Sequence, residues 1–272
     1  MSVEAETGGG ATDSPLEALR ADPKRAAILT DVDGTLAPIV ERPEQAAVPQ
    51  RARELLVALS GRFGLVGCIS GRQAQEARRL VGIDGIAYAG NHGLELLLPG
   101  EEAPRLDPAL AEQERSAAEF AAALDPATLR SSGLRLEDKG PIQSLHWRGA
   151  EDERGAEAQA REIAAEAGRA KLEPRWGRKV LELRPVGGGG KDSAVAALLA
   201  TDGVTAAVYA GDDRTDLDAF RRLRELRDEG SLKAAVCVGV VSQEAPPELA
   251  EEADLFVDGP KGWLAILEEL AE

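Results

Sequence analysis

The 272-residue chain is short of base, of thiols and of long apolar runs, and each shortage excludes something. It carries 48 acidic against 32 basic residues, a formal charge of −16. That sign argues against a protein that coats nucleic acid or anionic membrane, because both attract a basic face. A small anion can still sit in a local positive pocket. Cys68 and Cys237 lie in separate apolar runs. Two reduced core thiols explain them better than a disulfide, and two distant thiols cannot close a metal site. No stretch approaches the ~18 consecutive apolar residues of a membrane span. Residues 1–14 lack a charged-then-apolar signal pattern and read as a Gly-rich disordered leader. A cytoplasmic enzyme is the resulting expectation. Lysine and histidine are scarce as well, with 7 Lys beside 25 Arg and only His92 and His146. Where these types occur, they carry more information than usual.

What is present is an alternation of buried strands and helices. Ala26–Asp31 is a continuous apolar run ending in an acid, which fits a strand covered on both faces. Pro49 opens a helix with Leu55, Leu56 and Leu59 on one side. Strands over Phe63–Ile69 and Ile86–Ala89 flank a helix over Gln73–Leu80. After Pro99 the texture changes to helix, two strands, helix, two strands, an antiparallel α+β unit. After Gly187–Gly190 the strand–helix alternation returns, with strands near Thr205–Tyr209, Ala234–Val240 and Ala253–Val257. The fold class predicted is α/β, a doubly wound parallel sheet with right-handed crossovers. Residues 15–99 and 187–272 form this core domain, and 100–186 form an inserted α+β domain.

Four polar clusters follow strand ends, the edge where open α/β sheets hold ligands. The first is Asp31-Val32-Asp33-Gly34-Thr35. Two carboxylates so close raise each other's pKa unless a cation joins them, and oxygen donors suit Mg²⁺. A simple turn explains either acid alone but not the pair followed by Gly-Thr. The second, Ser70-Gly71-Arg72, offers a hydroxyl and loop amides to an anion, or merely caps the next helix. The third, Gly187–Gly190 then Lys191-Asp192, is not a P-loop, because Pro185 and Asp192 stand where Gly and Ser or Thr are required. Lys191 at a helix start opposes the helix dipole, so a compact charge there reads as chosen for an anion, with a solvated lysine as the plain alternative. The fourth, Gly211-Asp212-Asp213-Arg214-Thr215-Asp216, has more carboxylates than helix capping needs. An Asp nucleophile, a divalent cation, and Ser and Lys gripping an anion together make phosphoryl-transfer equipment.

This ordered set resembles the haloacid dehalogenase superfamily of phosphohydrolases, with the insert where one branch carries an α/β cap. The strings Ser70-Gly71-Arg72, Asn91-His92-Gly93-Leu94-Glu95, Glu137-Asp138-Lys139-Gly140, His146-Trp147-Arg148, Leu181–Pro185 and Gly211–Asp216 resemble the trehalose-6-phosphate phosphatase family more closely. Trp147 stands where that family commonly has Tyr, and Leu217 where it usually has an acid. The resemblance implies hydrolysis of trehalose 6-phosphate through an aspartyl-phosphate. It implies Asp31 as nucleophile and Asp33 as acid, then base. Mg²⁺ would be held by the Asp31 carboxylate, the Asp33 carbonyl and Asp212, with Asp213 and Asp216 beside them. Ser70 and Lys191 would hold the phosphate. Glu137, Lys139 and Glu182 would read the sugar, supported by Asn91, His92 and Arg148, with Arg72 on the substrate side in a less defined role.

Read locally, Glu137 and Lys139 could be a solvated turn, Glu182 a partner of Arg184, and His146 a packed strand residue. Competing readings are a phosphatase for a sucrose or mannosyl-3-phosphoglycerate type compound, and a non-catalytic sugar-phosphate sensor. The expected partner is a small sugar phosphate, with no nucleic acid and no membrane. The chain is expected as a monomer, with a trehalose-phosphate synthase as an allowed associate.

Overall fold

A computed structural model describes residues 15–40, 45–106, 111–177, 179–186, 189–200, 203–242 and 245–272. The expected leader and Gly187–Gly188 of the glycine run lie outside the described residues.

Apolar runs of five or six residues become the strands β1 (Ala26–Asp31) and β2 (Leu65–Ile69), and β3 is Ala87–Gly90. The later run supplies β10 (Ala206–Gly211), β11 (Ala234–Val241) and β12 (Leu255–Asp258). These six are parallel neighbours in the order β12-β11-β10-β1-β2-β3. Alternate residues of β1 serve two cores: Ala26 and Ile28 join one, Ala27 and Leu29 the other. The first core takes Leu55, Leu56 and Leu59 of α2 (Gln50–Arg62) and Trp263 and Leu267 of α10 (Gly259–Ala271). The second takes Val195 and Leu198 of α7 (Lys191–Leu199) and Phe220 and Leu223 of α8 (Asp216–Asp228). Burial on both faces explains why the strands lack polar alternation.

The sheet runs two strands further than the sequence reading. β4 (Glu95–Leu97) and β5 (Arg105–Leu106) add antiparallel to β3. The central sheet therefore extends past the boundary placed at residue 99. Both strands are too short to show a period. The short helices α5 (Pro126–Ser131) and α9 (Leu249–Glu252) were likewise outside the predicted elements.

A second sheet of four antiparallel strands has the order β6-β7-β9-β8. Its strands are β6 (Arg135–Asp138), β7 (Gln143–His146), β8 (Leu172–Gly177) and β9 (Val180–Pro185). Helices α4 (Ala111–Ala123) and α6 (Glu153–Arg169) pack on it. Leu145, Leu181 and Leu183 share one buried core with Ala156, Ala160 and Ile163 of α6. The opposite pleat carries Glu137, Ser144 and Glu182 side by side, since Glu137 pairs with Ser144 and Ser144 with Glu182.

Candidate active site

β1 and β10 are adjacent, yet the chain leaves them toward opposite sides of the sheet. Such a switch point leaves a crevice at the carboxyl ends of the strands. Asp31 ends β1 there, and Asp212 follows β10. Gly34 has φ +97, and a Cβ on it would stand 2.1 Å from Asp212 Oδ2. The Gly of the first cluster is thus required twice, by its backbone and by the carboxylate packed on it. Thr35 Oγ1 donates to Asp212 Oδ1 at 3.0 Å, tying the first cluster to the fourth.

Lys191, 3% exposed, enters at the start of α7. Its Nζ lies 2.7 Å from Asp31 Oδ1 and 2.6 Å from Asp216 Oδ1. One carboxylate oxygen from each of Asp31, Asp212 and Asp216 lies within 4.8 Å of the others. Three buried carboxylates thus face one ammonium. Burial pushes the Asp31 carboxyl well up; Lys191 opposes this, and Asp216 and Asp212 add to it. Asp212 is pushed up to about 7 by burial and by its neighbours Asp216 and Asp213. A group of buried acids held this far from comfortable ionisation fits a divalent cation. Asp31 and Asp212 each accept a single side-chain donor, so both keep oxygen lone pairs for one.

The side chains of Asp213 and Asp33 are engaged away from the carboxylate cluster, and the expected metal contact of Asp33 is its carbonyl. The exposed Asp213 carboxylate accepts from the backbone N–H of Thr215 at 2.7 Å and of Asp216 at 3.2 Å. Desolvation at the crevice raises its carboxyl, but Lys191 and then those bonds more than reverse this and hold it well below the usual range. It fastens the loop before α8 and stands outside the carboxylate cluster. The Asp33 side chain, 41% exposed, turns to Arg72, which donates Nε at 2.7 Å and Nη2 at 2.8 Å. Arg72 Nη1 also donates to Glu76 at 2.6 Å. Ser70, buried beside them, accepts from the Arg72 backbone N–H at 3.1 Å.

The second sheet brings its polar pleat over this edge. Asn91 Nδ2 donates to Glu95 Oε1 and to the Lys139 carbonyl, both at 2.8 Å, so it bridges the two sheets. Asn91, His92 and Gly93 all have positive φ, a left-handed turn that aims His92 at Glu182. His92 Nε2 stands 3.7 Å from Glu182 Oε2, and Lys139 Nζ stands 3.4 Å from Oε1. Arg184, which the sequence reading saw only as a plain partner of Glu182, is buried and donates to it through Nε and Nη2. Burial pushes the Glu182 carboxyl up, but His92, Arg184 and Lys139 more than reverse this and hold it at about 2. Burial, then Arg184, lowers His92 to about 3. A cavity of about 1040 Å³ opens beside Glu182, lined by His92, Arg184, Lys191 and, from β8, Arg175, with Asp31, Asp33, Ser70 and Lys139 outside its lining. That is room for a ligand of disaccharide size.

Of the other expected substrate residues, Glu137 shares the polar pleat with Glu182 and Arg148 does not. Glu137 is paired to His146 at 2.6 Å on the same pleat. Arg148 is exposed just past β7, at the end of the sheet away from the Lys139 turn, because β7 runs from that turn outward. Tyr209, buried in β10, donates its hydroxyl to Asp216 Oδ1 and was not singled out in the sequence. A tyrosine in a fully buried strand was the available signal, since its O–H needs a partner there.

The sheet order with its inserted antiparallel unit is a fold shared with a haloacid dehalogenase-like hydrolase from Bacteroides thetaiotaomicron, which superposes with a TM-score of 0.60 over 90% of this chain and 99% of that one at 17% identity. Within that fold, the family model "Trehalose-phosphatase" matches residues 29–260, and the chain belongs to that family. A probable trehalose-phosphate phosphatase 9 of Oryza sativa is 31% identical over 226 residues, covering 74% of this chain and 60% of the rice protein. Trehalose-phosphate phosphatase B of Arabidopsis thaliana is 30% identical over 261 residues, covering 92% of this chain and 67% of its own. The chain thus spans about three fifths to two thirds of the length of these relatives. The C-terminal domain of a C. albicans trehalose-6-phosphate phosphatase superposes with a TM-score of 0.72 at 22% identity, covering 94% of this chain and 96% of that domain. No described helix is long and apolar enough to cross a membrane.

Proposed function

We propose that this chain is a Mg²⁺-dependent phosphatase that hydrolyses trehalose 6-phosphate to trehalose and phosphate. The observation that carries the reading is the contact of Lys191 with Asp31 at the switch point, on one cavity with the charged Glu182 and Arg184 that can hydrogen-bond sugar hydroxyls.

The reaction divides into two steps. An Asp31 oxygen attacks phosphorus, the phosphorus–sugar oxygen bond breaks, and the leaving oxygen takes a proton from Asp33. Water then attacks the aspartyl-phosphate, gives its proton to Asp33 and releases phosphate and Asp31. Ser70 and Lys191 hold the phosphoryl oxygens. The cation would be held by the Asp31 and Asp212 carboxylates and the Asp33 carbonyl, and when bound it supplies charge neutralisation to the phosphoryl oxygens. Asp33 must give a proton in the first step, whereas here its carboxylate oxygens are occupied by the Arg72 fork. An incoming phosphoryl group suits the same fork, and its capture of Arg72 would free Asp33 for the leaving oxygen.

Residues 111–186 act as a cap in this reading. Glu182 and Lys139 read the sugar by charge-assisted hydrogen bonds, and Arg184 holds Glu182 in place. The test is phosphate release from a panel of sugar phosphates with and without Mg²⁺. Preference for trehalose 6-phosphate supports the reading, and binding of every member without release from any sinks it.

A further inference from the structure

Proximity alone makes Asp216 a third cation ligand beside Asp31 and Asp212. Its hydrogen bonds tell otherwise. Oδ1 accepts from Lys191 Nζ at 2.6 Å and from the Tyr209 hydroxyl. Oδ2 accepts from the backbone N–H of Asp212 at 3.0 Å and of Asp213 at 2.9 Å. A carboxylate offers about four lone-pair sites. All four are taken, while Asp31 and Asp212 keep most of theirs.

The seat of this carboxylate is closed as well. Asp216 is fully buried, and a Cβ on Gly211 would stand 2.2 Å from its Cγ. Tyr209, also fully buried, is braced edge-on by Phe220 of α8 at 5.9 Å between ring centroids. The carboxylate is therefore gripped from the sheet, from the acidic loop and from α7. Its two amide bonds fix the backbone that presents Asp212, and its bond to Lys191 sets where that ammonium meets Asp31.

We propose that Asp216 is a positioning residue and not a cation ligand, and that the Tyr209 hydroxyl is the fixed point that orients it. Asp216 acts through Lys191 and through the Asp212 loop, and Tyr209 acts through Asp216. The assignment rests on the phosphatase reading for its assay, and on the hydrogen-bond geometry alone for its ligand set.

The experiment titrates Mg²⁺ calorimetrically into the full chain and into Tyr209→Phe, Asp216→Asn and Asp212→Asn, with kcat and KM measured on each. Tyr209→Phe removes one oxygen atom and keeps the ring packing. It is expected to lower kcat about tenfold or more, with KM and the Mg²⁺ Kd within about threefold, as loss of a positioning partner does. Asp212→Asn is expected to weaken Mg²⁺ at least about tenfold, and Asp216→Asn far less. An unchanged kcat in Tyr209→Phe overturns the role of the tyrosine. Weakening of Mg²⁺ by Asp216→Asn as great as by Asp212→Asn overturns the ligand assignment. Should Asp216→Asn fail to fold, a crystal structure of the wild-type chain grown with Mg²⁺ decides it: Asp216 within about 2.1 Å of the ion overturns the proposal, and Asp216 still on Lys191 and Tyr209 supports it. A wild-type chain that binds Mg²⁺ but releases phosphate from no substrate would sink the phosphatase reading and leave the binding comparison to decide the ligand set.

Discussion

Lys191 is the residue where the charges of the site meet. It is one of 7 lysines and the one whose ammonium touches both Asp31 and Asp216. Its scarcity and its place at a helix start were visible in the sequence, as were Asp31 and Asp33 at the end of an apolar strand run. The pairing of Arg72 with Asp33 was not, because 39 positions separate them and only the packing of two loops brings them together. Two predictions belong here. Asp31→Asn is expected to abolish turnover while sugar-phosphate binding, read by calorimetry, stays largely intact; near-normal turnover would remove Asp31 as nucleophile. Lys191→Met is expected to cut kcat by about 10²–10³, the usual effect of losing one preorganised partner of a developing negative charge. Phosphate-release kinetics check that loss, and a change under tenfold would show that the ammonium does not hold the phosphoryl group.

The strands of the second sheet form the next scale. β6, β7, β8 and β9 were legible as strands because each is short, bounded by turn residues and backed by leucines. Which pleat faces the cleft was not legible, since that depends on how the sheet is hung over the core. His92 shows it, reaching from the core sheet to within 3.7 Å of Glu182 on that pleat. Lys139→Ala and Glu182→Ala are expected to lower kcat/KM for the sugar phosphate at least about tenfold more than for a small aryl phosphate, consistent with charged partners worth a few kcal/mol. Equal losses on both substrates would show that this pleat does not read the sugar. The same carboxylate sets a pH dependence. Its folded value of about 2 lies below its ordinary 4.5, so the native state favours the ionised form. The stability this contributes is present above pH 4.5 and is lost as pH falls through about 2. Denaturant unfolding of wild type and Glu182→Gln is therefore expected to differ most above pH 5 and to converge near pH 2. A gap that is constant across that range would contradict the ion cluster.

At the scale of the molecule, a −16 chain concentrates its function where acids outnumber bases in a buried crevice. The alternation of buried strands and helices announced the doubly wound sheet, whereas the break read after Pro99 falls inside that sheet, before β5. The sheet's outer strands escaped notice, because β4 and β5 span three and two residues and carry no pattern of their own. Large apolar side chains on the surface, such as Ile39, Val57, Trp176 and Phe256, are scattered among separate elements. Single exposed apolar residues do not make an interface. Light scattering is expected to give the monomer mass of 28.6 kDa, and a stable dimer would show that one of these faces is paired.

The measurement that bears most directly on the whole account is kcat/KM for phosphate release from trehalose 6-phosphate beside sucrose phosphate, a mannosyl-3-phosphoglycerate and an aryl phosphate, each with Mg²⁺ and with chelator. The account predicts release that requires Mg²⁺ and is fastest on trehalose 6-phosphate. A preference of more than about 100-fold for another sugar phosphate, beyond what small contact differences produce, would contradict it.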